Sequence, residues 1–530
     1  MIQEWLVRCT EQHQACNERP DPTFLPNRLL ELDSTGPEKT FRLVQSYEVR
    51  PGSRYITLSH CWGESSGDKG LKLTQTTADT LSTKQPVHIL PKTFRDAFSI
   101  IERLGINYLW IDRFCIFQDS SDDWRSESSA VCNIYTNGLL NVAALGAHNS
   151  DGGCFFSRDP AHVQATVVQL CIEGPDKPQP YRFELEKGWV WRLSFNRDPL
   201  QERGWTIQER LLAPRVVHFG SKQVFWECGE ANCCELHPRS VNLFRQEDKG
   251  DELLPRLGAS GPSAPWKHLL DSPDHFTLKD SVRQLFTDWY GILMQYAECK
   301  LSFPSDKLVA ISGVAKDMKK RLAELGQDTD YLAGLWRCEL PQSLVWNLRG
   351  TGTRPPVYRA PSWSWAAVDG RVNMAQWLAN PDDILLSSLI AAETTPLGED
   401  ETGQVLTGSV TLKGPLVTVK LSGILYPFLD SAFQIERLEK SESAERLMEP
   451  PKDGGCSVHF DTKDDICGQV LCLPIKAGKW AEKWSVCGLA LSPVDDGRYV
   501  RIGSFGLHVP LTLESKELFQ GLAEKEIVII

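Results

Sequence analysis

Between Tyr55 and Leu145, short apolar runs alternate with amphipathic stretches, and this rhythm restricts the fold more than any other feature of the chain. Residues 55–59 form a β-rich run that ends in the tight turn His60-Cys61-Trp62-Gly63, followed by a polar loop over 64–70. Residues 93–104 place Phe94, Ala97, Phe98, Ile101 and Leu104 on one stripe, which predicts an amphipathic helix entered through Pro91. The run 108–117 is too continuously apolar for an edge strand and predicts a parallel strand covered on both faces. Helical period returns over 122–135 and strand character over 139–145. The βαβαβ order implies an α/β fold, a parallel sheet flanked by helices.

The rest of the chain divides around that core. At 530 residues it exceeds what one hydrophobic core supports, so two or three subdomains are expected. Residues 1–54, with a helix candidate over 2–16 and one strand over 41–47, look like a leading flap. The core domain is expected over 55–250, with a Gly-, Pro- and Ser-rich linker at 250–273. A helical region follows over 274–355, with helices near 286–298 and 306–324. Short strands separated by Gly and Pro predict a β-rich C-terminal subdomain over 356–530.

Charge and cysteine usage exclude several classes. The net charge of −12 is dispersed, and no clustered basic face points to nucleic acid. No run reaches the roughly 18 apolar residues of a membrane span, and the first residues lack a signal-peptide core, which predicts a soluble cytoplasmic protein. Sixteen cysteines without an export signal are expected as free thiols. Cys9, His13 and Cys16 form one group of potential ligands, and Cys228, Cys233, Cys234 and His237 another. Neither has the paired spacing of a zinc module, so no metal is expected.

Three segments carry candidate chemistry, each where a strand ends or a helix begins, the usual ligand-binding edge of a parallel sheet. The first places Ser59, His60, Cys61, Trp62 and Gly63 at a strand end, with Gly63 allowing a sharp turn. In the second, Asp112 and Arg113 interrupt a buried run, and isolated charges there are costly unless paired or functional. Gln118 follows, and then a helix carrying Trp124, Glu127 and Tyr135. The third is Arg203-Gly204-Trp205-Thr206-Ile207-Gln208-Glu209-Arg210. Gln208 and Glu209 are adjacent on a helix, so they point in different directions, and Arg203 and Arg210 could equally be salt-bridge partners.

These blocks, with Leu90-Pro91-Lys92-Thr93-Phe94, Gly153-Cys154-Phe155 and Tyr358-Arg359-Ala360-Pro361-Ser362-Trp363-Ser364-Trp365, resemble the signatures of fungal heterokaryon incompatibility (HET) domain proteins. The likeness covers roughly residues 1–375 and is weaker at 499–505. HET proteins are similar to TIR domains, so it implies a TIR-like parallel sheet and a role in non-self recognition and cell death when fungal hyphae fuse. Some TIR domains hydrolyse NAD through a Glu shortly after a Trp. By that likeness Glu127 of Trp124-x-x-Glu127 is the first catalytic candidate, with Glu209 second; NAD would be a substrate and no cofactor is implied.

Four positions depart from the family pattern: Arg113, Phe117, Ala130 and Gly138. Arg113 could hold a carboxylate or phosphate, and Ala130 and Gly138 could enlarge a cavity. Stand-alone HET proteins also occur beside fungal biosynthetic genes. A second reading is therefore an enzyme of secondary-metabolite biosynthesis acting on a small, anionic metabolite, with His60, Cys61, Asp112 and Arg113 in acid–base or nucleophilic roles. The third is a non-catalytic interaction module. The expected partner is a small molecule or nucleotide, and a homo-oligomer remains an open alternative.

Overall fold

The computed structural model describes residues 1–18, 20–63, 70–163, 167–172, 179–184, 195, 198–239, 278–374, 383–424, 432–439, 457–480, 483–510 and 523–530. The polar stretch 64–69 and the linker expected at 250–273 lie outside these residues. The chain forms two compact units, Met1–Thr277 and Leu278–Ile530.

The first unit is built on a sheet of nine described strands. They are β1 (Arg28–Asp33), β2 (Thr40–Gln45), β3 (Tyr55–Ser59), β4 (Gln85–Pro86), β5 (Tyr108–Trp110), β6 (Leu140–Ala143), β9 (Arg215–Phe219), β10 (Val224–Cys228) and β11 (Asn232–Cys234). A separate hairpin pairs β7 (Val167–Ile172) with β8 (Gln179–Glu184). The strand order is β11-β10-β9-β6-β3-β5-β1-β2-β4. The four central strands β9, β6, β3 and β5 are parallel. The flanking strands are antiparallel to their neighbours, so the sheet is mixed where a wholly parallel one was expected. The first 54 residues supply β1 and β2, two strands of this sheet, where the sequence suggested a flap with one.

The helices are α1 (Ile2–Gln12), α2 (Ala15–Glu18), α3 (Ala78–Ser82), α4 (Lys92–Arg103), α5 (Asp112–Cys115), α6 (Ser121–Asn137) and α7 (Thr206–Leu212). Ser120 caps α6 by accepting from the Asp123 N–H at 3.2 Å, which satisfies one of the orphan donors of its first turn. The apolar run 108–117 is not one strand. After Trp110 it turns into α5, where the Ile111 carbonyl accepts from Phe114 and Cys115 and the Asp112 carboxylate accepts from the Arg113 N–H. Leu109, Ile111, Phe114 and Cys115 are fully buried in this turn, as residues of a covered strand would be, so apolar continuity could not distinguish strand from turn.

The chain runs from β3 to β5 on one side and then back past β3 to β6 and β9 on the other. The connections diverge between β3 and β6, and such a switch point leaves a crevice at the strand carboxyl ends.

The second unit begins with helices Leu278–Ala297 and Val309–Glu324. Of the Tyr358–Trp365 block, Trp363 and Trp365 lie in its core, with the Trp365 indole donating to the Gly334 carbonyl at 3.0 Å, while Tyr358 is exposed. Its strands are longer than expected, up to 12 residues. Six of them, Val417–Ile424, Ala432–Glu439, Ser457–Phe460, Tyr499–Pro510, Lys483–Pro493 and Gln469–Trp480, pair in that order and the last returns to the first, closing an antiparallel ring. Val419, Val458, Cys472, Val486 and Phe505 share its core. Closure removes the exposed edges of these strands. No helix among the described residues is long and apolar enough to cross a membrane.

Candidate functional site

Strand β3 is buried along its whole length between two parallel neighbours, so its polar residues must find partners inside the protein. Thr57 and Ser59, two apart, share a face. Both meet Asn141 of β6: Thr57 Oγ1 donates to Asn141 Oδ1 at 3.1 Å, and Asn141 Nδ2 donates to Ser59 Oγ at 2.9 Å. Ser59 is thereby fixed at the carboxyl end of β3, beside β6. Asn141 was not among the candidates, although a lone amide inside Leu139–Leu145 was a visible signal.

Beyond Ser59 the chain turns sharply. Gly63 has φ +93°, and a Cβ there would stand 2.9 Å from Asn149 Cβ, so a side chain would be both strained and crowded. His60 is buried, edge-on to Phe94 and stacked near Trp62. The Trp62 indole donates to Asp112 Oδ2 at 2.9 Å, and His60 Nδ1 stands 3.8 Å from Asp112 Oδ1. The first two segments thus join through Asp112.

The third segment reaches the same rim. Arg203 donates to the His60 carbonyl, and Trp205 packs edge-on to Trp124 with centroids 6.2 Å apart. From α7, Glu209 hydrogen-bonds to Ser59 and to Tyr135, whose ring lies edge-on to Trp110. Burial raises the Glu209 carboxyl to about 7, against the opposing pull of the Ser59 and Tyr135 hydrogen bonds and the Arg203 charge. Burial also lifts the Tyr135 phenol well above its ordinary range. The Cys61 thiol is raised by burial as well, with nearby Arg203 only partly opposing it, and a protonated thiol is a poor nucleophile.

Ser59, His60, Cys61, Trp62, Asp112, Tyr135, Arg203 and Glu209 are therefore drawn together by three separate stretches. Other candidates go elsewhere. Glu127 is 2% exposed and accepts Asn27 Nδ2 and Arg28 Nη2, each at 2.9 Å. Arg28 also grips both Asp123 oxygens and donates to the Cys115 carbonyl. Gln118 donates to the Asp112 and Ile116 carbonyls and so staples the α5 turn. Arg113 is buried, donates to the Leu71 carbonyl at 2.9 Å and lies over the Trp62 ring. Gln208 is fully buried.

Two of the departures noted in the sequence also fall in packing. A Cβ at Gly138 would meet Thr57 Cγ2 at 3.5 Å, an ordinary contact between helix and sheet, and Ala130 packs on the core. Arg210 pairs with Glu227 of β10, at 2.7 Å through both Nε and Nη2, and not with a residue of its own helix. His218 Nε2 shares the same carboxylate at 2.8 Å. These cations outweigh burial and hold Glu227 below the usual carboxylate range.

No curated protein and no solved structure matches the chain. Residues 55–209, from the first residue of β3 to Glu209 itself, match the family described as heterokaryon incompatibility protein (HET).

Proposed function

We propose that the first unit binds a nucleotide over the carboxyl ends of β3 and β6 and hydrolyses its N-glycosidic bond, with NAD the first candidate, in the service of non-self recognition and cell death. The observation that carries this reading is Glu209, a carboxyl raised to about 7 and hydrogen-bonded by Ser59 and Tyr135 at the switch point of the sheet.

The chemistry suits such a group. When the bond between ribose C1 and nicotinamide breaks, its electron pair passes to the ring nitrogen and cationic charge develops on the sugar. A nearby carboxylate stabilises that charge. Water then adds to C1 and its proton passes to Glu209, which is basic enough at neutral pH to accept it. Asp112, tied to the Trp62 indole, adds negative potential at the same rim. Glu127, by contrast, is already engaged by Arg28 and Asn27. The likeness of HET to TIR domains supports the reaction class, with the reacting carboxyl supplied by α7 and not by α6.

The test is nicotinamide release from NAD by the purified full chain. Glu209→Gln is expected to reduce release by roughly 10²–10⁴-fold, and the wild-type rate to rise with pH through about 7 as Glu209 ionises. Absence of release, with a small metabolite co-purifying, would replace this reading with a biosynthetic enzyme. Inertness to ligands, with concentration-dependent assembly, would replace it with an interaction module.

A further inference from the structure

Four metal-binding side chains meet outside the family-matched span. Cys9 lies on α1, His13 follows it, Cys16 lies on α2, and Cys228 ends β10 at its hairpin with β11. One ligand atom from each, three Sγ and a His13 ring nitrogen, all lie within 4.8 Å of one another. Cys228 Sγ is 3.3 Å from His13 Nδ1. Zinc–sulfur bonds of about 2.3 Å in a tetrahedron place the sulfurs roughly 3.8 Å apart, so small movements bring this set onto a metal.

The surroundings fit a metal better than packed thiols. All three cysteines are buried and His13 sits at the rim, a closed arrangement typical of structural sites. In the hairpin turn the Gly229 N–H donates to Cys16 Sγ at 3.2 Å, the outer-shell bond that supports a ligating thiolate. Arg215, 2% exposed, directs Nε at Cys9 Sγ at 3.1 Å. Its other donors go to the Leu139 and Cys16 carbonyls and to Asn17, and no carboxylate among the described residues pairs with it. A buried guanidinium without a counter-charge is costly. A divalent ion bound by three thiolates and one neutral imidazole carries a net charge of −1, which supplies that counter-charge beside Cys9.

We propose that Cys9, His13, Cys16 and Cys228 hold a structural zinc ion that pins α1 and α2 to the end of β10. The ligand set is the soft and borderline mixture that suits zinc, and binding releases the three thiol protons to solvent. The bond from the Ala15 N–H to Glu230 Oε1, at 3.1 Å, ties the same two segments together.

Elemental analysis of the full chain, purified reduced and without chelator, is expected to find about one zinc per chain. Cys228→Ser and His13→Ala are expected to lose the ion, His13→Cys, which keeps four ligands, to retain it, and Cys233→Ser to retain it as a control. Cobalt(II) exchanged into the wild type should give the visible spectrum of a tetrahedral thiolate site. Wild-type protein that carries neither metal and shows all four side chains free to thiol and imidazole reagents would overturn the proposal. So would a disulfide between any two of the three cysteines. Because the wild-type zinc content and cobalt spectrum decide the matter alone, a variant that fails to fold does not protect the idea.

Discussion

Glu127 and Glu209 lie on neighbouring helices of one unit, and burial raises both carboxyls, yet their partners are of opposite kinds. Glu127 accepts from a guanidinium and an amide, and its cation is shared with Asp123, so one positive charge serves two carboxylates. Glu209 is met by the neutral hydroxyls of Ser59 and Tyr135, while Arg203 spends a donor on the His60 carbonyl. A buried carboxylate tied to a cation that it shares with a second carboxylate is part of the scaffold. One held by hydroxyls near neutrality can exchange protons with a ligand. The comparison teaches that a Glu one turn after a Trp is not marked for chemistry by its position; its neighbours in space decide.

The strongest attack on this contrast is Arg28→Met. Leaving Glu127 and Asp123 without their cation should cost about 3–5 kcal/mol in urea unfolding; a loss below about 1 kcal/mol would mean that the Glu127 cluster is not scaffold.

The second effect is smaller and depends on pH. In the folded state Glu209 titrates at about 7, against an ordinary 4.5, so the native protein keeps a proton that the unfolded chain releases. Wild-type stability therefore falls as pH rises from about 4.5 to about 7 through this group. Glu209→Gln removes the penalty. It should unfold later than the wild type above pH 7, by about 1–2 kcal/mol after allowance for partial exposure, with no gain below pH 4.5. A variant less stable than wild type at pH 8 would break the assignment.

The mildest change, Glu127→Gln, keeps an acceptor for Asn27 and Arg28. Nicotinamide release should stay within about threefold of wild type and stability within about 1 kcal/mol. If this variant abolished release while Glu209→Gln spared it, the two roles would be exchanged.

Much of the fold around the site was legible from local pattern. The strand 55–59 and the helices near 93–104 and 122–135 appear within two residues of the expected ends, because amphipathic period reports the buried face directly. The turn at Asp112 was not legible, since a buried turn and a buried strand share one apolar signature. Nor were the antiparallel flanks of the sheet, which depend on pairing such as Leu30 with Leu109, or the closed ring of the second unit. The candidate side chains near strand ends were visible by type. Which of them touch was not: Asn141 holding Ser59, Arg28 claiming Glu127 and Cys228 joining Cys9 are contacts between residues from 82 to more than 200 positions apart.

By itself the sequence determined the α/β rhythm of the first unit, the β-rich character of the second, the likeness of residues 55–209 to the HET family and the short roster of polar residues at strand ends, since each is written in local composition and spacing. Only the tertiary structure decided that Glu209 and not Glu127 meets Ser59 and Tyr135, and that three cysteines and a histidine share one point. A proton or a metal ion responds to burial and to partners within a few ångströms, and chain order does not fix those distances.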